Sequence, residues 1–236
     1  MKAKFLITTA MLLVAASASA QVQASASSAS LVPSGGKNYN SVYLHYNPQT
    51  KVIGQQGAKD ITGYHGITLG YKRGISISNS RPLFLEAGAA FQFSVYDTAQ
   101  EETHDFYRKG TMGALLLPVN VTYRFAISRS KFAIAPYLGL TVKCNLWASE
   151  TQKEEWVTGY GYNARDHVVE TDRNLFSTDD MGSRSQIANR LQFAWQAGVN
   201  FYFKKFYLGV GYGTDLVDFL KTERFNTAYA TLGFDF

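Results

Sequence analysis

Four histidines are the residues of this chain whose chemistry could most readily support catalysis. His65 lies on the apolar side of an alternating segment, whereas the candidate nucleophile Ser94 lies on the polar side of its own segment. His45 lies on the polar side of its alternating segment. His104 and His167 fall in charged stretches, and His167 lies within "RDHVVETD". A histidine activates a serine only within hydrogen-bond reach. The pattern predicts no catalytic residue, and no spacing typical of a metal or cofactor site accompanies it.

A second set of reactive groups consists of charges that interrupt the polar sides of alternating segments. Both signs are present near the middles of these segments, at Lys72, Glu86, Arg124, Lys143 and Asp215. A buried charge without a partner is costly, whereas opposite charges that meet can offset their desolvation. We therefore expect these five residues to form a network of ion pairs inside the protein, although parity alone does not assign the pairs.

Eight segments carry the two-residue alternation that is typical of β-strands. They span residues 39–46, 61–75, 83–95, 115–125, 132–145, 191–203, 206–215 and 228–236. One side of each segment carries large apolar residues, and the other carries glycines, polar groups and the charges above. A lipocalin would place the apolar side around a ligand, but small and pairable residues suit a narrow filled lumen with lipid outside. The sequence predicts an all-β fold, an eight-stranded antiparallel up-and-down transmembrane β-barrel.

The N-terminal residues predict export of the protein. A basic start with Lys2 and Lys4, a short apolar stretch and the Ala18-Ser19-Ala20 pattern indicate a secretory signal peptide over residues 1–20. Residues 21–38 are poor in large apolar side chains and are expected to form a flexible lead, which leaves 39–236 for the barrel. Without Lys2 and Lys4 the formal charge falls from +5 to +3, too mild to indicate a nucleic acid partner.

The connections between the segments alternate between short and long. The long ones cover residues 47–60, 97–110 and 148–188, and the short ones are rich in lysine and arginine. Outer-membrane barrels have short periplasmic turns and longer external loops, so we expect the cell outer membrane, with both termini in the periplasm. The longest loop combines acids with aromatic residues that recur at binding hot spots. The candidates for partner contact are Trp156, Tyr160, Tyr162 and Phe176.

The strand patterns themselves resemble a known family. "LPVNVTYRF" at 117–125, "APYLGL" at 135–140, "QAGVNFYFKKFYLGVGYGTDL" at 196–216 and the terminal "LGFDF" are similar to the small outer-membrane β-barrel superfamily. The resemblance is greatest to PorT-like barrels and extends to OmpA, OmpX and opacity-type members of the porin family. It implies that the outer-membrane assembly machinery recognises the C-terminal strand, through Phe236, Phe234 and Leu232, and it brings no catalytic residues.

The sequence therefore favours a non-enzymatic outer-membrane barrel that presents external loops or acts as a membrane anchor or accessory subunit. The expected partners are outer-membrane lipid, the assembly machinery and another outer-membrane or extracellular protein. A lipid-modifying enzyme and a narrow passive pore stay open as alternatives. Pro118 and Pro136 fall inside predicted strands, where proline donates no ladder hydrogen bond, so we expect a bulge or a strand end near each.

Overall fold

The computed structural model of the protein describes residues 38–53, 63–78, 81–99, 105–127, 131–158, 165–181, 187–220 and 223–236. The predicted signal peptide and all but the last residue of the predicted lead lie outside these ranges, as do Tyr160 and Tyr162.

Within the described residues, ten strands and one short helix follow one another. They are β1 (Tyr39–Ile53), β2 (Gly63–Ser76), β3 (Leu83–Ala99), β4 (Asp105–Tyr123), β5 (Phe125–Ala126), β6 (Phe132–Thr158), β7 (Arg165–Asn174), α1 (Thr178–Met181), β8 (Leu191–Phe203), β9 (Phe206–Asp215) and β10 (Glu223–Asp235). Neighbouring strands run antiparallel in the order β4, β3, β2, β1, β10, β9, β8, β6, and β4 pairs with β6 to close the ring. β5 continues the pairing beyond β4, and β7 pairs with β6 outside the ring. The predicted eight-stranded antiparallel β-barrel is confirmed.

The two faces of the ring have the polarity that the alternation predicts. Leu138, Leu140 and Leu208 point outward with about 60% of their surface exposed. Arg124 and Gln192 point inward and are buried to 2% and 0% exposure. The protein thus hides its charged and amide groups and exposes its large apolar side chains, the reverse of a water-soluble domain.

The prolines inside the strands interrupt hydrogen bonding without changing the register. Pairing between β3 and β4 is broken opposite Pro118 and resumes in the same register, so the expected bulge or strand end at Pro118 is wrong. Pro136 lies where pairing with β4 has ended and pairing with β5 has not begun, as expected of a residue without an N–H. The register shift of β4 against β6 lies elsewhere, between Gly113 and Ala114.

All three long connections contain more strand than the sequence indicates. β1 continues through Ile53. β6 continues past Cys144, its last partner position for β8, through Thr158, and β7 returns beside it. β3 and β4 extend together on the other side of β6. The interpretation of residues 47–60, 97–110 and 148–188 as loops is therefore wrong over much of their length. At about 3.3 Å per residue, the 14 residues of β6 beyond Cys144 span roughly 45 Å.

Helical structure is minor in the part of the chain that the structure describes. α1 has four residues, and no helix there is long and apolar enough to cross a membrane.

Candidate functional site

Four buried charges meet inside the barrel at the end that carries the short turns. Lys72 Nζ donates a hydrogen bond to Glu86 Oε2 at 2.8 Å, and Arg124 Nη1 donates to Asp235 Oδ2 at 2.8 Å. Arg124 Nη2 also lies 3.9 Å from Glu86 Oε1, which joins the two pairs. We call Lys72, Glu86, Arg124 and Asp235 the lower charge cluster. Its two cations and two anions balance, which offsets the cost of removing each charge from water.

Aromatic side chains enclose the lower charge cluster. The Arg124 guanidinium lies 3.6 Å from the centroid of the Tyr39 ring and 4.2 Å from that of Tyr202. Tyr39 donates its hydroxyl hydrogen to Glu86, and Arg124 Nη2 donates to the Tyr202 hydroxyl at 3.0 Å. Cation–π contacts strengthen when the ring and cation are desolvated together. The tyrosines thus hold the guanidinium and fill the lumen at this end.

A second charge pair lies nearer the end with the long connections. Lys143 Nζ is 3.7 Å from Asp215 Oδ2, and Gln192 Nε2 donates to the same oxygen at 3.1 Å. Asn145 donates to Gln192 Oε1 at 2.8 Å, so the amides extend the network. We call Lys143 and Asp215 the upper charge pair. The five charges expected from the sequence therefore form two separate groups.

Asp235 is the member of the charge network that the sequence interpretation left out. It lies between Phe234 and Phe236, which point outward, so parity already placed its carboxylate in the lumen. Asp235 is 8% exposed, and its carboxylate is the ion-pair partner of Arg124. Arg124 therefore has an anionic partner outside the five charges expected from the sequence.

A small cavity separates the lower charge cluster from the upper charge pair. Its volume is about 50 Å³, and its walls include Lys72, Lys143, Asp215, His45 and Tyr137. That volume holds a few water molecules. Eight strands leave an interior that inward-facing side chains largely fill.

An apolar cap covers the cavity on the side of the long connections. It consists of the buried residues Tyr64, Tyr96, Met112, Ala148, Leu175, Ala188, Phe219 and Phe225, with Phe176, Met181 and Leu220 packed against them. Backbone bonds attach the returning chain to the strands: Leu175 N donates to the carbonyl of Ala148 at 3.0 Å, and Asn189 N donates to that of Phe219 at 2.7 Å. The cap therefore joins the segment after β7 to the barrel.

The candidates for partner contact occupy different places. The Phe176 ring is 6.5 Å from that of Phe219, and the Arg190 guanidinium lies 4.2 Å from the Phe176 centroid. Phe176 thus packs within the cap, and these contacts explain its position without an external partner. The backbone of Trp156 lies in β6 opposite His167, and its side chain, like Tyr160 and Tyr162, falls outside the described residues.

His65 does not meet the serine that a catalytic role would require. Its Nδ1 lies 2.7 Å from the hydroxyl of Tyr46, on the outside of the barrel. Ser94 is buried in the lumen, where it accepts a hydrogen bond from Gln92 at 2.9 Å. Over the described ranges there is also no group of three or more His, Cys, Asp or Glu side chains arranged to hold a metal.

The C-terminal residues close the barrel at the end with the short turns. Phe236 pairs with Asn40 of β1 through two backbone bonds, at 2.9 and 3.2 Å. Phe236 is 55% exposed and Leu232 46% exposed on the outer face, and the ring of Phe234 lies 6.4 Å from that of Phe236. These three side chains therefore face the surroundings of the barrel.

The ring closure, the outward apolar band and the filled lumen define the protein as a closed eight-stranded antiparallel β-barrel. No family model matches the chain, and no curated protein is significantly similar to it in sequence.

Solved barrels of other organisms are similar in structure. Ail, the attachment invasion locus protein of Yersinia pestis, is 14% identical, with a TM-score of 0.42 over 86% of this chain and 99% of that one. Neisserial surface protein A is 12% identical, with a TM-score of 0.37 over 84% and 97%. The N-terminal β-barrel domain of Pseudomonas aeruginosa OprF is 11% identical, with a TM-score of 0.32 over 85% and 100%. Likeness this distant assigns no function.

Proposed function

We propose that the protein is a non-enzymatic outer-membrane β-barrel that presents its long-connection end to an external protein. Both termini would then lie in the periplasm. The outward apolar band supports the membrane location, and the division into short and long connections supports the orientation. The observation that carries the function is the sheet of β3, β4, β6 and β7, which continues beyond the ring.

In this extension of the sheet, β7 is the strand that would pair with a strand of the partner. Within the described ranges β6 is the strand that pairs with β7, so the second edge of β7 offers backbone N–H and C=O groups. Val168 and Val169 alternate to opposite faces and are 55% and 46% exposed. An accessible edge with apolar side chains binds an added strand through main-chain hydrogen bonds. Glu170 and Asp172 on the same strand would favour a basic partner.

The filled lumen argues against a passive pore. The lower charge cluster and its tyrosines block one end, the cap covers the other, and the cavity between them holds only a few waters. A solute larger than water would have to displace buried ion pairs or the aromatic residues of the cap.

The surroundings of His65 argue against a lipid-modifying enzyme. Tyr46 is its hydrogen-bond partner on the outer face. A tyrosine hydroxyl there replaces neither the serine nucleophile nor the carboxylate that would orient the imidazole as a base.

Crosslinking from β7 in intact cells tests the proposed function. A photoreactive amino acid at Val168 or at Val169 samples the two faces of the strand, and one at the lipid-facing Leu138 is the control. We expect a protein adduct from at least one β7 position and none from Leu138. Adducts of equal yield and identity at all three positions would contradict a docking role for β7.

A shortened variant provides the matched loss-of-function test. Lys153 and Glu170 are directly opposite in the β6–β7 ladder, so an Asn-Gly turn can replace residues 154–169 without a register change. The variant keeps Leu175 and Phe176 for the cap. We expect normal barrel assembly and loss of the partner captured by the full chain, and retention of that partner would contradict the proposal.

A further inference from the structure

Five phenylalanines form a continuous outer surface at the end with the short turns. They lie on the adjacent strands β6, β8, β9 and β10 or directly after β10: Phe132, Phe203, Phe206, Phe234 and Phe236. Ring centroids are 4.9 Å apart for Phe132 and Phe203 and 5.0 Å apart for Phe206 and Phe234. The apolar surface therefore runs across four of the eight strands of the ring.

Three lysines border this surface. Lys204 N donates to the carbonyl of Lys131 at 3.0 Å, which fixes the two turns side by side. Lys204 Nζ lies 5.6 Å from the centroid of Phe203, and Lys205 Nζ lies 5.8 Å from that of Phe234. The ammonium groups of Lys204 and Lys205 thus lie at the margin of the aromatic surface, and the backbone of Lys131 lies beside them. We call the three lysines and the five phenylalanines the rim patch.

The acid nearest to these lysines is turned away from them. Asp235 N donates to the carbonyl of Lys205 at 2.8 Å, but the Asp235 carboxylate points inward to Arg124. In the part of the chain that the structure describes, no acidic side chain forms an ion pair with Lys131, Lys204 or Lys205. The side chains of the rim patch therefore carry net positive charge.

The backbone at Lys204 is an independent indication that its side chain has a role. Lys204 has a φ of 59°, and it is the non-glycine residue with positive φ among those described. It is the first of two residues in the turn between β8 and β9, a position where glycine adopts this conformation at much lower cost. A lysine held in an unfavourable conformation suggests that the ammonium group is needed there.

We propose that the rim patch binds the phosphate group of an anionic phospholipid. The phenylalanines would contact the acyl chains, and Lys131, Lys204 and Lys205 would surround the phosphate at the depth of the headgroups. This inference rests on the orientation of the proposed function, which places the rim patch in the periplasmic leaflet. It does not depend on the external partner.

Lipid titration of the purified, refolded protein tests the proposal. The protein is held in a zwitterionic detergent, and native mass spectrometry measures its binding of dioleoylphosphatidylglycerol and of dioleoylphosphatidylcholine. We expect preference for the anionic lipid. Lys204→Gly should weaken that binding about fivefold, corresponding to about 1 kcal/mol per basic residue near an anionic surface. Combining it with Lys131→Gln and Lys205→Gln should weaken binding about a hundredfold.

Lys204→Gly also separates binding from folding, because glycine relieves the positive-φ conformation. The variant should be at least as stable as the parent while binding less lipid, and Lys204→Asn is the second variant if assembly of the first is poor. The control is Arg73→Gln with Arg81→Gln, which removes two exposed charges at the same end of the barrel, one from β2 and one from the turn between β2 and β3. Equal losses in the control and at the rim patch would overturn the proposal. So would equal binding of the two lipids, or full displacement of the lipid by inorganic phosphate.

Discussion

Glu86 allows the energetics of the lower charge cluster to be measured. Its carboxylate accepts hydrogen bonds from Lys72 and Tyr39 and lies 3.9 Å from Arg124, and the residue is 1% exposed. Glu86→Gln preserves shape but leaves two buried cations with Asp235 as their single counter-ion. Breaking a buried pair in this way costs about 3–5 kcal/mol. We expect the free energy of unfolding to fall by that amount.

The assay is equilibrium urea unfolding of the refolded barrel in lipid vesicles, with folded and unfolded fractions separated by their gel migration before boiling. Adding Lys72→Met to Glu86→Gln restores charge balance and should recover about 1–3 kcal/mol of the loss. Asp218→Asn breaks the exposed ion pair with Arg224 and should cost no more than about 1 kcal/mol. A loss at Glu86 no larger than at Asp218, with no recovery in the double variant, would refute the buried-network account.

Three further outcomes follow from the structure. Phe236→Asp should reduce the yield of assembled barrel more than the control Phe203→Asp does. Both place a charge at the same rim, where a charge facing lipid costs about 0–1 kcal/mol, so equal yields would deny a recognition role to Phe236. Gly88→Ala should destabilise the barrel by about 1–3 kcal/mol, because its Cβ would meet the backbone of β2, whereas Gly63→Ala meets only a side chain at 3.8 Å; urea unfolding compares them. Phe225→Ala should open the cap and cost about 3–5 kcal/mol in urea unfolding, but planar-bilayer recordings should still show no ion conductance because the lower charge cluster blocks the other end; conductance in this variant would show that the cap alone seals the lumen.

The ring of the barrel was predictable because its two faces meet different surroundings. Each strand there has one face toward the outside and one toward the lumen, so Leu138, Leu140 and Thr141 follow a two-residue period. The pairing of the first strand, β1, with the last, β10, follows from closing eight sequential antiparallel strands into a ring.

The sheet extension was not predictable from the same pattern. Beyond the ring both faces of a strand meet water or other parts of the protein, so β7, "RDHVVETDRN", has no apolar alternation. The cap escaped prediction for a related reason. Leu175 follows β7, Phe219 lies between β9 and β10, and Phe225 lies in β10. Their contact depends on packing between segments that sequence periodicity does not encode.

The charge network was predictable in composition but not in pairing. Parity identifies which charges face the lumen, including Asp235, whereas the height and angular position of each strand decide which of them meet. Lys72 and Glu86 lie on neighbouring strands, but Arg124 reaches Asp235 from a different part of the ring. That contact requires the three-dimensional arrangement of the barrel.

Labelling of single cysteines in intact cells tests the central claim most directly. With Cys144 replaced by serine, Thr171→Cys places a thiol on β7 and Arg81→Cys places one in a short turn at the opposite end. The proposed orientation predicts that a membrane-impermeant maleimide labels the first in intact cells and the second only after the outer membrane is permeabilised. Labelling of Arg81→Cys in intact cells, with Thr171→Cys protected, would contradict it.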